Sequence, residues 1–394
     1  MKQKIAIYLP LFSLLSYWYI ELAAVLFSIL VTGNILKVFN ILKIKHITCL
    51  ILFIIMEFII MSILNYNMQK CFEQILLITT TATAYYIYFQ YVIKKNICLF
   101  VKCYLNVNII MNIYALIAYA LHITISGRLE SWGGEPGDIS LLTLPALIYY
   151  FHHKEISLRS ILTLIAFILS ESTASYVALF ITISLLLIVY NYKNLLKIIL
   201  SLSIILSIGY TISNAISKEI PEKSNAMLKF QETINILQND QINYYELESL
   251  NASTYAFITN LLVAKSAPSR LLGTGLGTHP INYKIEYPPQ NTNYRLYGLN
   301  SNDAYSLTIR VFSELGYIGL FLLFFFLYRN FNSKSLFSFM AISYIINACI
   351  TGGHYTANGG MLFFIFFYFS GKYIEKEALL KSTNKIQTKK KQYV

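Results

Sequence analysis

Apolar runs of bilayer length recur along almost the whole chain, and this repetition constrains the fold more than any other feature. "ITCLILFIIMEFIIMSILN" (47–65) is one run, and "LFLLFFFLY" (320–328) with its approach is another. A backbone in hydrocarbon must satisfy its own hydrogen bonds, so runs of about 20 apolar residues point to helices that cross a membrane. Composition agrees. The 394 residues are 56% hydrophobic and 13% charged, where a soluble domain carries about a quarter charged residues. The expectation is an all-α integral membrane protein.

The spans are predicted at 5–19, 22–39, 46–64, 72–93, 97–125, 138–151, 158–171, 173–190, 195–214, 306–328, 335–351 and 360–374. The N-terminal "MKQKIAIYLPLFSLLSYWYIE" runs into aromatic residues with no small-x-small cleavage site, so it reads as a span rather than a signal peptide. Taking residues 5–36 as one tilted span would put the amino terminus outside. A split near Glu21 puts Lys2 and Lys4 inside and gives twelve spans.

Charge sets the orientation. The basic tail "GKYIEKEALLKSTNKIQTKKKQYV" places the carboxyl terminus in the cytoplasm. Working back, the loops holding Arg329/Lys334, Lys193/Lys197, Lys154/Arg159, Lys94/Lys95 and Lys37/Lys43/Lys45 fall on the same side. The opposite short loops hold only Lys70 and Arg128. The net charge of +12 is therefore a positive-inside signal rather than a nucleic-acid patch: residues 214–306 carry seven Lys/Arg against eight Asp/Glu. Four regions follow, namely an N-terminal bundle (1–213), a large external loop (214–306), C-terminal membrane helices (307–374) and a cytoplasmic tail (375–394). The external loop is too long for a mere connector. After Pro221 its apolar residues Met227, Phe230, Ile234 and Leu237 have helical spacing, whereas "THPINYKIEYPPQNTNYRLYGLNSNDAYS" reads as irregular.

Several groups could carry chemistry. Asp303, Arg310 and Glu314 are spaced to share one helix face at the mouth of an apolar span. They form either a self-neutralising interfacial pair or a cation with carboxylates facing a cavity. "SRLLGTGLGTHP" (269–280) is no Walker loop, because no Lys-Ser/Thr follows. Its glycines make either a tight turn or, with Arg270 and His279 beside them, a phosphate cradle. Tyr283, Tyr287, Tyr294, Tyr297 and Tyr305, with Arg295 among them, suit either a sugar face or an interfacial aromatic belt. "SGRLESWGGEPGD" (126–138) brings Arg128, Glu130, Trp132, Glu135 and Asp138 into a glycine-rich turn, and Glu171 sits at a tight outward hairpin. Glu57 is the most deeply placed charge, either a neutral buried acid or a proton-coupling site. Among the histidines, His46, His152 and His153 face the cytoplasm, while His279 and His354 face outward with His122 near that end. Their spacing gives no metal motif. The five cysteines, Cys49, Cys71, Cys98, Cys103 and Cys349, have no C-x-x-C pair and read as small apolar residues.

Three short segments, "GTGLG" (273–277), "SNDAYS" (301–306) and "ELGYIG" (314–319), follow one another near the end of the long loop. With the span count, this order resembles the O-antigen polymerase and ligase superfamily, the Wzy-type integral membrane glycosyltransferases. The resemblance implies a GT-C-like helical fold in the bacterial inner membrane, active at its periplasmic face with both termini cytoplasmic. It also implies a glycan on undecaprenyl pyrophosphate as donor, no metal or nucleotide cofactor, and a chain-length regulator as a family-level partner. Ligases carry a His-Asn pair before the E-x-G helix, whereas this chain has Ser301-Asn302-Asp303, which favours polymerase.

On that resemblance Arg128, Arg270, Arg295 and Arg310 would hold the pyrophosphate, since a guanidinium donates paired hydrogen bonds to phosphate. Tyr294, Tyr297 and Asn302 would contact sugar, and the general base is left open among His279, Asp303 and Glu314. A ligase would use the same donor. A flippase would favour repeat symmetry and short loops, and a structural scaffold would not need four outward arginines.

Overall fold

The computed structural model describes residues 2–14, 18–33, 44–64, 66, 68–123, 129–130, 136–190, 250–288, 296–352, 354–356 and 358–371. Among these residues every regular element is helical. In chain order they are α1 (Lys2–Phe12), α2 (Trp18–Val31), α3 (Ile44–Ile63), α4 (Met68–Tyr88), α5 (Ile97–Ala120), α6 (Pro136–His153), α7 (Leu158–Leu169) and α8 (Thr173–Tyr190). Then come α9 (Ala252–Ser266), α10 (His279–Glu286), α11 (Leu307–Asn330), α12 (Leu336–Ile350) and α13 (Gly360–Gly371). Two of these, α5 and α11, are long and apolar enough to cross a membrane. The expected span 195–214 and the expected helix after Pro221 lie outside the described residues.

Two expectations need correction. The first break falls between α1 and α2, not near Glu21, which lies in the first turn of α2. Ser13 closes that break by donating to the Pro10 carbonyl at 2.8 Å. The stretch beginning at His279, read as irregular, is helical through Glu286. Pro280 stands in its first turn, where a missing amide donor costs nothing.

The core is aromatic and crowded. Phe89 stacks on Phe369 with centroids 5.8 Å apart, and Tyr344 lies flat on Phe363 at 4.1 Å. With Tyr86 of α4 on Phe369 and Phe100 of α5 on Phe366, such pairs draw α4, α5, α12 and α13 together, because large rings bury the most apolar area. Polar pins cross this core. Pro145 removes an amide donor inside α6, and the nearby Leu142 carbonyl accepts from the Tyr104 hydroxyl and from Asn108 Nδ2 at 3.2 Å. Asn347 of α12 donates to Ser175 of α8 at 2.8 Å, and Ser175 meets Ser140 of α6 at 2.6 Å. Glu21 is fully buried, accepts from Tyr85 at 3.3 Å and is hydrogen-bonded by the backbone of Asn358 and Gly359.

Candidate active site

The site is built on a broken helix. Ser306 caps α11 by accepting from the Ile309 amide at 3.1 Å. The helix then breaks at Gly316, whose φ of 63° and ψ of −158° lie in a region that only glycine occupies readily. The break frees backbone groups, and the glycine loop meets them. Tyr317 and Ile318 amides donate to the carbonyls of Arg270 and Leu271 at 2.9 and 3.2 Å. In return, the amides of Thr274 and Gly275 donate to the carbonyls of Ser313 and Glu314 at 3.2 and 2.8 Å. The fit leaves no room for a side chain: a Cβ on Gly273 would stand 2.3 Å from the Glu314 carbonyl carbon, and one on Gly316 would stand 2.4 Å from the Leu271 oxygen.

The charges sit on the N-terminal side of this break. Arg310 Nε donates to Glu314 Oε1 at 3.2 Å, and Tyr355 donates its hydroxyl to Glu314 Oε2 at 2.9 Å. The Arg310 guanidinium carbon also lies 4.3 Å from the centre of the Tyr355 ring, a cation–π contact. Both members of the pair are almost wholly removed from solvent. An ion pair buried this deeply recovers its desolvation cost only through such added bonds.

On the other flank, Glu57 of α3 accepts from the Leu276 amide at 3.0 Å through Oε2. Its second oxygen is buried and has no hydrogen-bond partner among the described residues. Glu57 and Glu314 are electrostatically coupled across the loop. The Gly275 position is tight here as well, because a Cβ would meet Met61 Sδ at 2.5 Å.

His279 sits behind this arrangement, completely buried. Its Nε2 faces Asn260 Oδ1 at 2.8 Å and its Nδ1 faces Ser313 Oγ at 2.9 Å. Asn260 Nδ2 is committed to the Ala256 and Leu299 carbonyls, so its Oδ1 can only accept. The hydrogen therefore rests on Nε2 and the Ser313 hydroxyl donates to Nδ1. Burial, with the Arg310 charge added, pushes the imidazole pKa down to about 3. His279 is thus a neutral strut with both nitrogens engaged. Asn282 extends the same network to Thr274 at 2.8 Å, and its Oδ1 accepts from Tyr66 at 2.9 Å.

Asp303 lies at the outer edge. Its Oδ1 accepts from the Tyr305 amide at 3.3 Å, and its Oδ2 is 3.1 Å from His354 Nε2. Asp303, Arg310, Glu314 and His279 are therefore brought together, as their charges on one another indicate. Asn302 is exposed, and Arg270 is exposed with its Nε on the Lys265 carbonyl at 3.1 Å. Tyr297 donates to the Tyr287 carbonyl at 2.6 Å and packs edge-on against Tyr283. Tyr283 itself is buried and accepts from the Gly298 amide, so it holds the loop rather than offering a sugar face. Arg128, Tyr294 and Arg295 lie outside the described residues.

Sequence reasoning left Tyr355, Ser313, Asn260 and Asn282 out of the site. The clue for Tyr355 was available, since "TGGHYTANGG" places a His-Tyr pair among glycines between two apolar segments. Among the described residues no group of three or more His, Cys, Asp or Glu is placed to hold a metal ion. A scan against protein-family models finds no match for this chain, and a search of curated proteins finds none either.

Proposed function

We propose that this chain is an O-antigen-type polymerase of the bacterial inner membrane. In this reading twelve spans carry both termini in the cytoplasm, and residues 214–306 lie in the periplasm. The enzyme joins oligosaccharide repeat units held on undecaprenyl pyrophosphate. One observation carries the reading: the segments "GTGLG", "SNDAYS" and "ELGYIG", apart in sequence, meet around one buried ionic group. Chemistry of this kind needs a fixed cation near a lipid surface, because negative charge grows on the pyrophosphate as the glycosidic bond breaks. Arg310 supplies that cation, Glu314 and Tyr355 fix its plane, and the exposed Arg270 stands at the start of the same glycine loop. The exposed Phe321, Phe324, Phe325 and Tyr328 on the C-terminal half of α11 give the lipid chain an apolar flank.

Deletion of the protein in its source organism, followed by lipopolysaccharide electrophoresis, tests this. Core carrying a single repeat unit is the expected result. An unchanged ladder would overturn the reading. Core alone with accumulated lipid-linked polymer would make the protein a ligase, and core alone without that polymer would make it a flippase.

A further inference from the structure

We propose that His354, held by Asp303, is the catalytic base that takes the proton from the acceptor sugar hydroxyl, an inference that rests on the polymerase reading above. A base needs a lone pair that substrate can reach. His279 has both ring nitrogens engaged and is wholly buried. Glu314 spends one carboxylate oxygen on Arg310 and the other on Tyr355. Asp303 spends one on the Tyr305 amide and the other on His354. His354 differs from all three. Its side chain is 42% exposed, and its Nε2 stands 3.1 Å from Asp303 with no hydrogen bond to Nδ1 among the described residues. A carboxylate there places the hydrogen on Nε2, leaves the lone pair on Nδ1 and stabilises the imidazolium once the proton arrives.

The backbone holds this geometry from two directions. Ala304 and Tyr305 have φ of 60° and 63°, and the Ser306 amide closes a turn on the Ala304 carbonyl at 2.7 Å. Consecutive left-handed residues without glycine persist only where their surroundings enforce them. The Gly352 amide donates to the Tyr305 carbonyl at 2.8 Å, which ties the His354 loop to the Asp303 loop. At its far end the same loop is anchored by Glu21 on Asn358 and Gly359. His354 lies between these anchors, and its neighbour Tyr355 touches both Arg310 and Glu314. The imidazole therefore adjoins in sequence the tyrosine whose ring packs on Arg310.

In the step, His354 Nδ1 accepts the hydroxyl proton as the acceptor oxygen bonds to the anomeric carbon of the donor. The bond from that carbon to the phosphate oxygen breaks, and its electron pair leaves on the lipid pyrophosphate beside Arg310. Atoms and charge balance with no further reactant.

The test uses full-length protein in lipid nanodiscs with lipid-linked repeat units extracted from cells lacking the protein. Wild type should make polymer. His354→Gln and His354→Ala should lower the rate by about 10²- to 10⁴-fold while binding of undecaprenyl pyrophosphate is unchanged, and His153→Ala should match wild type. Added imidazole should restore part of the His354→Ala rate, which a merely structural role would not allow. His354→Gln at a rate within threefold of wild type would overturn the base assignment and leave the polymerase reading standing. Joint loss of rate and pyrophosphate binding would also overturn it, by making His354 a binding group. No polymer from wild type under these conditions would sink the polymerase reading, and this inference with it.

Discussion

Arg310 and Glu314 show how a costly pair of charges can be kept at the mouth of an apolar helix. The pair is separated by one helical turn, so it forms with little ordering cost. Tyr355 then supplies both a hydroxyl to the carboxylate and a ring face to the guanidinium. Arg310→Ala would leave Glu314 buried without its cation, a loss of about 3–5 kcal/mol for a buried pair broken on one side. The double variant Arg310→Met with Glu314→Met should recover most of that stability but no polymer formation, as read by thermal unfolding in detergent and by polymer ladders. Recovery of both would show that the pair only holds the fold.

His279 permits a second test at the same scale. Its pKa falls from 6.5 to about 3 on folding, so the unfolded chain binds a proton between those values and the native state does not. The contribution is complete above pH 6.5 and is lost as pH falls toward 3, by at most about 1.4 kcal/mol per unit. His279→Gln should flatten that part of the stability profile between pH 7 and 5. A variant profile parallel to wild type would remove His279 as the source.

Among the helices, α11 matters most because it is interrupted. An unbroken helix from Leu307 to Asn330 would close its own hydrogen bonds and reject the glycine loop. The break at Gly316 instead exposes two carbonyls and two amides, and residues 270–275 satisfy all four. Irregular backbone is tolerated inside a membrane bundle where protein covers it in this way. Gly316→Ala or Gly273→Ala should therefore abolish monodisperse protein on size exclusion, since each adds a carbon at under 2.5 Å from backbone and at a φ that side chains rarely adopt. Gly137→Ala is the matching control: no described residue comes within 4 Å of its added carbon and its φ is ordinary, so it should be neutral or stabilising by up to about 1 kcal/mol.

For the whole molecule, the issue is which side of the membrane each end of the bundle faces. In the proposed topology the charge pattern puts the turn between α6 and α7 inside and the end of α9 outside. Ile156 and Lys265 are exposed at those two places. With Cys98 replaced, a cysteine at position 265 should react with a membrane-impermeant maleimide in spheroplasts, and one at position 156 only after permeabilisation. The reverse pattern would invert the topology and put the candidate site in the cytoplasm.

Asp303, expected on the helix face shared by Arg310 and Glu314, instead precedes the α11 cap at Ser306 and sits in a turn, accepting from the Tyr305 amide. The helical class, the boundaries of α6, α8, α11 and α12, and the pairing of Arg310 with Glu314 were legible in the sequence. Local hydrophobic runs and helical spacing decide them, and both are properties of neighbouring residues. The break in α11 was present in the sequence only as the first glycine of "ELGYIG", with no sign that the helix stops there, because its cause is a loop about 40 residues upstream in the chain. Its backbone hydrogen bonds can form only once the two segments meet. The same holds for chemistry. The family resemblance could nominate His279 as a base, but only packing decided that Asn260 and Ser313 would engage both its nitrogens. Only packing brought His354 to Asp303 and Tyr355 to Arg310. Sequence specifies which helices form, whereas a buried charge takes whichever partner tertiary contact supplies. That partner need not lie nearby in the chain.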